Sequence, residues 1–255
     1  MKRRFINCLF IIFCFFVVES FSQTSISPQE NLTKQRMLAP LNGKKIDSPE
    51  KNNPSMIFKK SLIIIDPGHG GHDVGTQSVS KPRYQEKSLN LVTAQFVQSY
   101  LTQLGYRVIM TRKDDTFISL DKRAQLANES KPTLFVSIHY NSAPSAEAKG
   151  VEVFYYQSHD SGSKQRVTKS KRLAQSILKN VIAQTKAPSR GVKHGNYAVI
   201  RETNMPAVLI EGGFLTNEAE LQQLKDPTYL KRLAWGIVKG IEDYLKPATQ
   251  KSGKS

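Results

Sequence analysis

An α/β fold, a single domain on a mostly parallel central sheet with helices on both faces, is what this sequence predicts, and three features predict it. Short apolar, β-branched runs alternate with longer segments whose apolar residues recur at helical spacing. Runs such as Leu62-Ile63-Ile64-Ile65 are continuously apolar, as strands buried on both faces are. The chain has room for one sizeable core, and it shows no internal repeat and no second folded module.

Order is expected to begin at Ser61–Asp66, a buried strand ended by Pro67-Gly68. Leu91, Ala94, Val97, Leu101 and Leu104 give a helix over Ser88–Leu104, closed by Gly105. Tyr106–Thr111 reads as a second strand, and Leu120, Arg123, Ala124 and Ala127 mark a second helix. Leu134–His139 reads as a third strand, and Val151–Tyr155 alternates as a fourth. Leu173, Ile177, Leu178 and Val181 share a face of a helix over Thr168–Thr185. Ala198–Ile200 is expected as a short strand and Ala207–Ile210 as a central one. The closing helix spans about Pro227–Leu245, with Leu230, Leu233, Ala234, Ile237, Val238 and Ile241 as its stripe.

Outside this region the composition changes. Lys2, Arg3 and Arg4 precede a 14-residue, mainly apolar run from Phe5 to Val18, with small residues at Ser20 and Ser22. This reads as a secretory signal over 1–22, since the run is shorter than the ~20 residues that span a bilayer. After its removal no stable membrane anchor is expected. Residues 23–57, rich in Ser, Gln, Asn, Lys and Pro, read as a flexible linker to a domain over 58–246, and 247–255 as a basic tail. Both cysteines, Cys8 and Cys14, fall inside the leader, so a metal site in the mature chain must use nitrogen and oxygen donors. The net charge is +16, of which the leader carries +2. Such a surplus suits an anionic partner. Export argues against nucleic acid, and no nucleic-acid-reading motif is present; the lysines also fit a merely solvated surface.

Four residues stand at the carboxyl ends or flanks of the predicted elements, where functional groups of open α/β sheets collect. His69 follows the first strand within Gly68-His69-Gly70-Gly71. A phosphate cradle is the competing reading of those glycines, but Asp73 replaces the third glycine of the dinucleotide pattern and no Gly-Lys-Ser/Thr ending follows. His139 ends the third strand, as a ligand or as a structural histidine. Glu86, just before the first helix, suits the helix N-terminus by charge alone; with the two histidines it completes a His-His-Glu set that leaves a fourth zinc position open. Glu211 terminates the apolar run Ala207–Ile210, where a carboxylate is costly unless it is paired or holds a proton. It reads as a buried ion-pair partner or as a general acid and base beside a metal site.

These four segments, in this order, resemble the zinc-dependent N-acetylmuramoyl-L-alanine amidases of the type 3 family, over roughly Leu62 to Leu245. The resemblance implies that His69, Glu86 and His139 hold Zn2+, that Glu211 is the catalytic glutamate, and that no other cofactor takes part. It implies hydrolysis of the amide between the muramic acid lactyl group and L-alanine of the peptidoglycan stem peptide, in the periplasm or cell envelope. The segments Arg190–Lys193 and Arg201–Ala207 also resemble the family's lead-in to its last core strand. Wall-binding repeats of other relatives are absent, which leaves the basic surface as the source of wall affinity. A protein regulator, and a role in daughter-cell separation or in wall recycling, both fit the family. Asn141 and the backbone at Gly212-Gly213 are candidates for orienting substrate, and His72 is a spare imidazole three residues from His69.

Two rivals remain. Ser-x-x-Lys, the nucleophile spacing of serine-type wall enzymes, occurs at Ser48, Ser78, Ser119, Ser161 and Ser176, a number that so lysine-rich a chain gives by coincidence. A non-catalytic wall-binding protein on the same fold should have lost Glu211 or a ligand, and all four are present.

Overall fold

A computed structural model describes residues 61–246 apart from 159. The expected leader (1–22), linker (23–57) and tail (247–255) lie outside the described residues. The chain forms a six-stranded sheet from β1 (Leu62–Pro67), β2 (Arg107–Met110), β3 (Leu134–Asn141), β4 (Val151–Tyr155), β5 (Ser189–His194) and β6 (Ala207–Phe214). Its helices are α1 (Glu86–Gln103), α2 (Leu120–Ser130), α3 (Lys164–Thr185), α4 (Ala198–Arg201), α5 (Glu218–Leu224) and α6 (Pro227–Leu245). Strand order is β2-β1-β3-β6-β4-β5, parallel throughout except for the antiparallel pair β4–β6. The expected mostly parallel sheet is what forms.

The continuous apolar runs are explained by cover on both sides. Ile64, Phe135 and Leu209 pack on one face with Ala127 of α2 and Val199 and Ile200 of α4. Their neighbours Ile63, Ile65, Val136, Ile138, Val208 and Ile210 are also fully buried and, by alternation, point to the opposite face. The remaining long helices pack together, α6 against both α1 and α3. Glycine makes the α3–α6 contact possible: a Cβ at Gly236 or Gly240 would lie 2.6 and 2.4 Å from the Cα atoms of Val181 and Ile177. Helix α6 starts where Pro227 predicts, with the Asp226 carboxylate accepting from Thr228 N at 2.8 Å. Among the described residues, no helix is long and apolar enough to cross a membrane.

Three expectations need correction. Ala198–Arg201 is a single helical turn, not a strand. Val199 and Ile200 are both buried, which a strand exposing alternate residues would not achieve, and Arg166 donates to the freed carbonyls of Ile200 and Thr203. Strand β6 does not stop at Ile210 but continues through Glu211 to Phe214. Helix α1 also starts two residues earlier than its apolar periodicity, because Glu86 N donates to Thr76 O and fixes the first turn. Strand β5 and helix α5 had no sequence expectation: β5 is an exposed edge without a sustained apolar pattern, and α5 is one short amphipathic stretch capped by Asn217.

Candidate metal and proton-transfer site

The strand order reverses between β1 and β3, and such reversals open a crevice beyond the strands' carboxyl ends. His69 and His139 stand there, with ring centroids 4.9 Å apart. Gly68 must be glycine: a Cβ would lie 2.1 Å from the His139 ring. His69 takes a left-handed backbone (φ 58°), an uncommon conformation for a side-chain-bearing residue. Buried arginines strap that turn. Arg123 donates to the carbonyls of Pro67 and His69 at 2.7 Å each, and Arg112 to those of Pro67 (3.0 Å) and Gly68 (2.7 Å).

Glu86 reaches the crevice from the first turn of α1. One carboxylate oxygen, Oε1, lies 2.8 Å from His139 Nδ1 and accepts from Tyr140 N at 3.2 Å; the other, Oε2, lies 3.1 Å from His69 Nε2 and accepts from Thr76 N at 2.9 Å. Gly75 makes room for it, since a Cβ there would lie 2.5 Å from Oε2. His69, Glu86 and His139 each offer a donor atom, all within 4.8 Å of one another. Burial opposes charge on Glu86, yet hydrogen bonds and attraction from His139 and His69 hold its carboxyl far below the usual range. Burial likewise opposes charge on His69, but Glu86 and Asp73 outweigh it and raise its proton affinity. Two imidazoles around one ionised carboxylate, all donors converging, is the chemistry of a divalent-cation site, and nitrogen and carboxylate oxygen suit zinc.

Asp73 belongs to this arrangement and was not picked out from the sequence. Its Oδ2 lies 2.8 Å from His69 Nδ1, which leaves Nε2 turned toward Glu86. The signal is its i+4 spacing from His69, masked in the sequence by its place at the third-glycine position of the dinucleotide pattern. His72, by contrast, is exposed and lies over Phe117, outside the donor cluster.

Glu211 is the cross-strand partner of His139 on one side and Glu152 on the other. It is 8% exposed, and among the described residues its Oε2 has no hydrogen-bond partner. Burial first, then repulsion from Glu86 and Glu152, pushes its proton affinity well above that of an ordinary carboxyl. Among the described residues no ion pair to Glu211 forms, which favours the acid-and-base reading over the buried ion pair. Just beyond it, β6 carries one extra residue between the pairs His139–Glu211 and Asn141–Phe214, and Gly213 takes φ 140°. Asn141, a candidate for orienting substrate, spends its amide on Glu152 Oε1 at 2.7 Å. Two of the Ser-x-x-Lys serines have their hydroxyls engaged, Ser78 Oγ with Ser80 O and Tyr84 N, and Ser176 Oγ with Gly240 O; Ser48 lies outside the described residues.

A family model for N-acetylmuramoyl-L-alanine amidase matches residues 63–243. A curated relative named a probable cell wall amidase, LytH of Staphylococcus aureus, is 33% identical over 199 residues; the match covers 78% of this chain but only 62% of the relative. Among solved structures, an N-acetylmuramoyl-L-alanine amidase from Clostridium difficile 630 superposes with a TM-score of 0.68 at 41% identity, covering 73% of this chain and 97% of that one. The CwlD amidase of Clostridioides difficile, solved in complex with the GerS lipoprotein, gives 0.67 at 32% identity, with 73% and 98% covered. The strand order, the convergent donors and these matches agree: the chain belongs to the N-acetylmuramoyl-L-alanine amidase family.

Proposed function

We propose that this chain is an exported zinc-dependent peptidoglycan hydrolase that cleaves the amide between N-acetylmuramic acid and L-alanine of the stem peptide. The observation that carries the reading is the pairing of a convergent His69–Glu86–His139 donor set with one buried carboxyl on the adjoining strand, Glu211, whose Oε2 has no hydrogen-bond partner among the described residues. His69, Glu86 and His139 would hold the ion, with Asp73 fixing the His69 ring. A divalent ion held there supplies Lewis acidity toward the scissile carbonyl and makes water more acidic.

Glu211 does the proton work. Its Oε2 takes a proton from water as the new C–O bond forms, then delivers it to the alanine nitrogen as the C–N bond breaks. An amide nitrogen leaves poorly unless protonated, and a carboxyl whose proton affinity is raised suits both halves of the cycle. Action in the periplasm or cell envelope follows from the leader read at residues 1–22, and is supported by the relative's name as a cell wall amidase. A protein regulator is proposed on the precedent of the relative solved with a lipoprotein.

The test is digestion of intact peptidoglycan, followed by mass spectrometry. Stem peptides with a free L-alanine amine should appear, vanish after chelation and return on adding zinc. Release indifferent to chelation, or peptides still carrying muramic acid, contradicts the proposal.

A further inference from the structure

The sheet face that carries Glu211 continues outward to a cationic cluster that the hydrolytic step does not use. Glu152, 4% exposed, is the cross-strand partner of Glu211, so its Cβ lies roughly 5 Å away on the same face. Its Oε2 accepts from two cations of β5, Arg190 Nε at 3.1 Å and Lys193 Nζ at 2.5 Å. Residues three apart on a regular strand point to opposite faces. Here an irregularity opposite Val151/Glu152 inserts Arg190 as an extra residue, and Gly191 takes φ 89°. That bulge re-aims Arg190, so that both cations meet one carboxylate oxygen.

One carboxylate between two cations leaves a local excess of positive charge. Glu220 is also near Arg190, but Lys149 lies beside it and offsets it. The side chains of Arg190 and Lys193 are 36% and 42% exposed, whereas Glu152 is 5% exposed. The bonds to Glu152 use one of five guanidinium donors and one of three ammonium donors, which leaves donors for a ligand. Aromatic rings hold the heads in place: Arg190 lies 4.8 Å from the centroid of Phe214, and Lys193 6.0 Å from that of Phe154, against which Tyr197 packs edge-on. Fixed, part-exposed cations about one strand from the proton carrier suit a substrate anion.

We propose that Arg190 and Lys193 form a carboxylate-binding subsite that receives an acidic residue on the peptide side of the scissile bond, with Glu152 as their positioning residue. The inference rests on the amidase reading. The single carboxyl of muramic acid is consumed in the amide, so the anion must come from the peptide. At ~3.3 Å per extended residue, the residue after L-alanine is the first within reach.

The test compares two N-acetylmuramoyl dipeptides, one with a free carboxylate on the second residue and one with that group as a carboxamide. The zinc-loaded full chain should show a KM roughly tenfold lower for the acid. Lys193→Gln and Arg190→Gln should each collapse the amide-to-acid KM ratio toward one, and Lys193→Arg should restore it. Thermal midpoints of the variants separate this from unfolding. Cleavage of both compounds with no preference, a preference that survives both Gln variants, or an equal rise in KM for both compounds alongside a lowered midpoint overturns the subsite while the amidase reading stands. Cleavage of neither compound by the wild type overturns the amidase reading and the subsite with it.

Discussion

Asp66 and Glu211 share one sheet face near the carboxyl ends of β1 and β6, and both are buried, at 0% and 8% exposure, yet their surroundings are opposite. Asp66 is saturated: it accepts from Arg123 Nη1 at 2.8 Å, Thr111 Oγ1 at 2.6 Å and Ser137 Oγ at 2.7 Å. Burial alone would raise its proton affinity, but the Arg123 charge and these hydrogen bonds hold it below the ordinary value. Among the described residues Glu211 has no paired cation and an unpartnered Oε2, with two further carboxylates nearby. The fold gives a full set of partners to the carboxylate that ties β1, β3 and α2 together, and leaves an oxygen unpartnered on the one proposed to exchange a proton.

Substitutions can break this contrast from either side. Asp66→Asn leaves the Arg123 guanidinium buried without its counter-ion, and removal of one partner of a buried pair costs about 3–5 kcal/mol. Denaturant unfolding should show that loss, and a change under 1 kcal/mol would mean that Asp66 is not the structural member of the comparison. Asp73→Asn removes the acceptor that fixes the His69 ring; metal affinity should fall about 10–100-fold, as outer-shell partners typically command. Competition with a chromophoric chelator measures it, and unchanged affinity would detach Asp73 from the site. Glu211→Gln removes a desolvated, repelled group and should leave the metal-free protein at pH 7 no less stable than wild type. A clear drop in its thermal midpoint would show that Glu211 is structural after all.

The smallest effects lie in the pH dependence of the metal-free protein, and they run in opposite directions. The Asp66 carboxyl is depressed from 3.8, so its stabilisation is complete above that pH and is lost as pH falls through the lower folded value. The Glu211 carboxyl is raised from 4.5, so its cost is absent below that pH and grows as pH rises toward the folded value. Unfolding free energies measured across pH should therefore show Asp66→Asn flattening the acid limb and Glu211→Gln flattening the limb above pH 4.5. A Glu211→Gln curve parallel to wild type above pH 4.5 would contradict the raised affinity.

The Glu211 half of this contrast was legible in the sequence and the Asp66 half was not, and the exceptions have physical causes. Ile63–Ile65 and Ala207–Ile210 announce buried strands because no polar residue interrupts them, and that burial is what made a carboxylate at 211 conspicuous. His69, Glu86 and His139 needed only the crevice between β1 and β3 to meet. Glu86 by itself was indistinguishable from a helix-start carboxylate; its part in the cluster depends on Thr76 N and Tyr140 N, contacts that no sequence spacing encodes. Glu152 sat unnoticed within the alternating Val151–Tyr155, and the cations that reach it come from an exposed edge strand without an apolar signature. Val199-Ile200 was misread because two adjacent β-branched residues suit a strand until tertiary packing buries both.

The most direct test of Glu211 as the proton carrier is single-turnover cleavage of an N-acetylmuramoyl-L-alanine peptide by zinc-loaded wild type and Glu211→Gln, with zinc content measured on the same samples. The predicted result is a rate lowered about 10²–10⁴-fold with zinc content unchanged, as loss of a general acid and base gives. A variant that cleaves within a few-fold of wild type at full zinc content would contradict it.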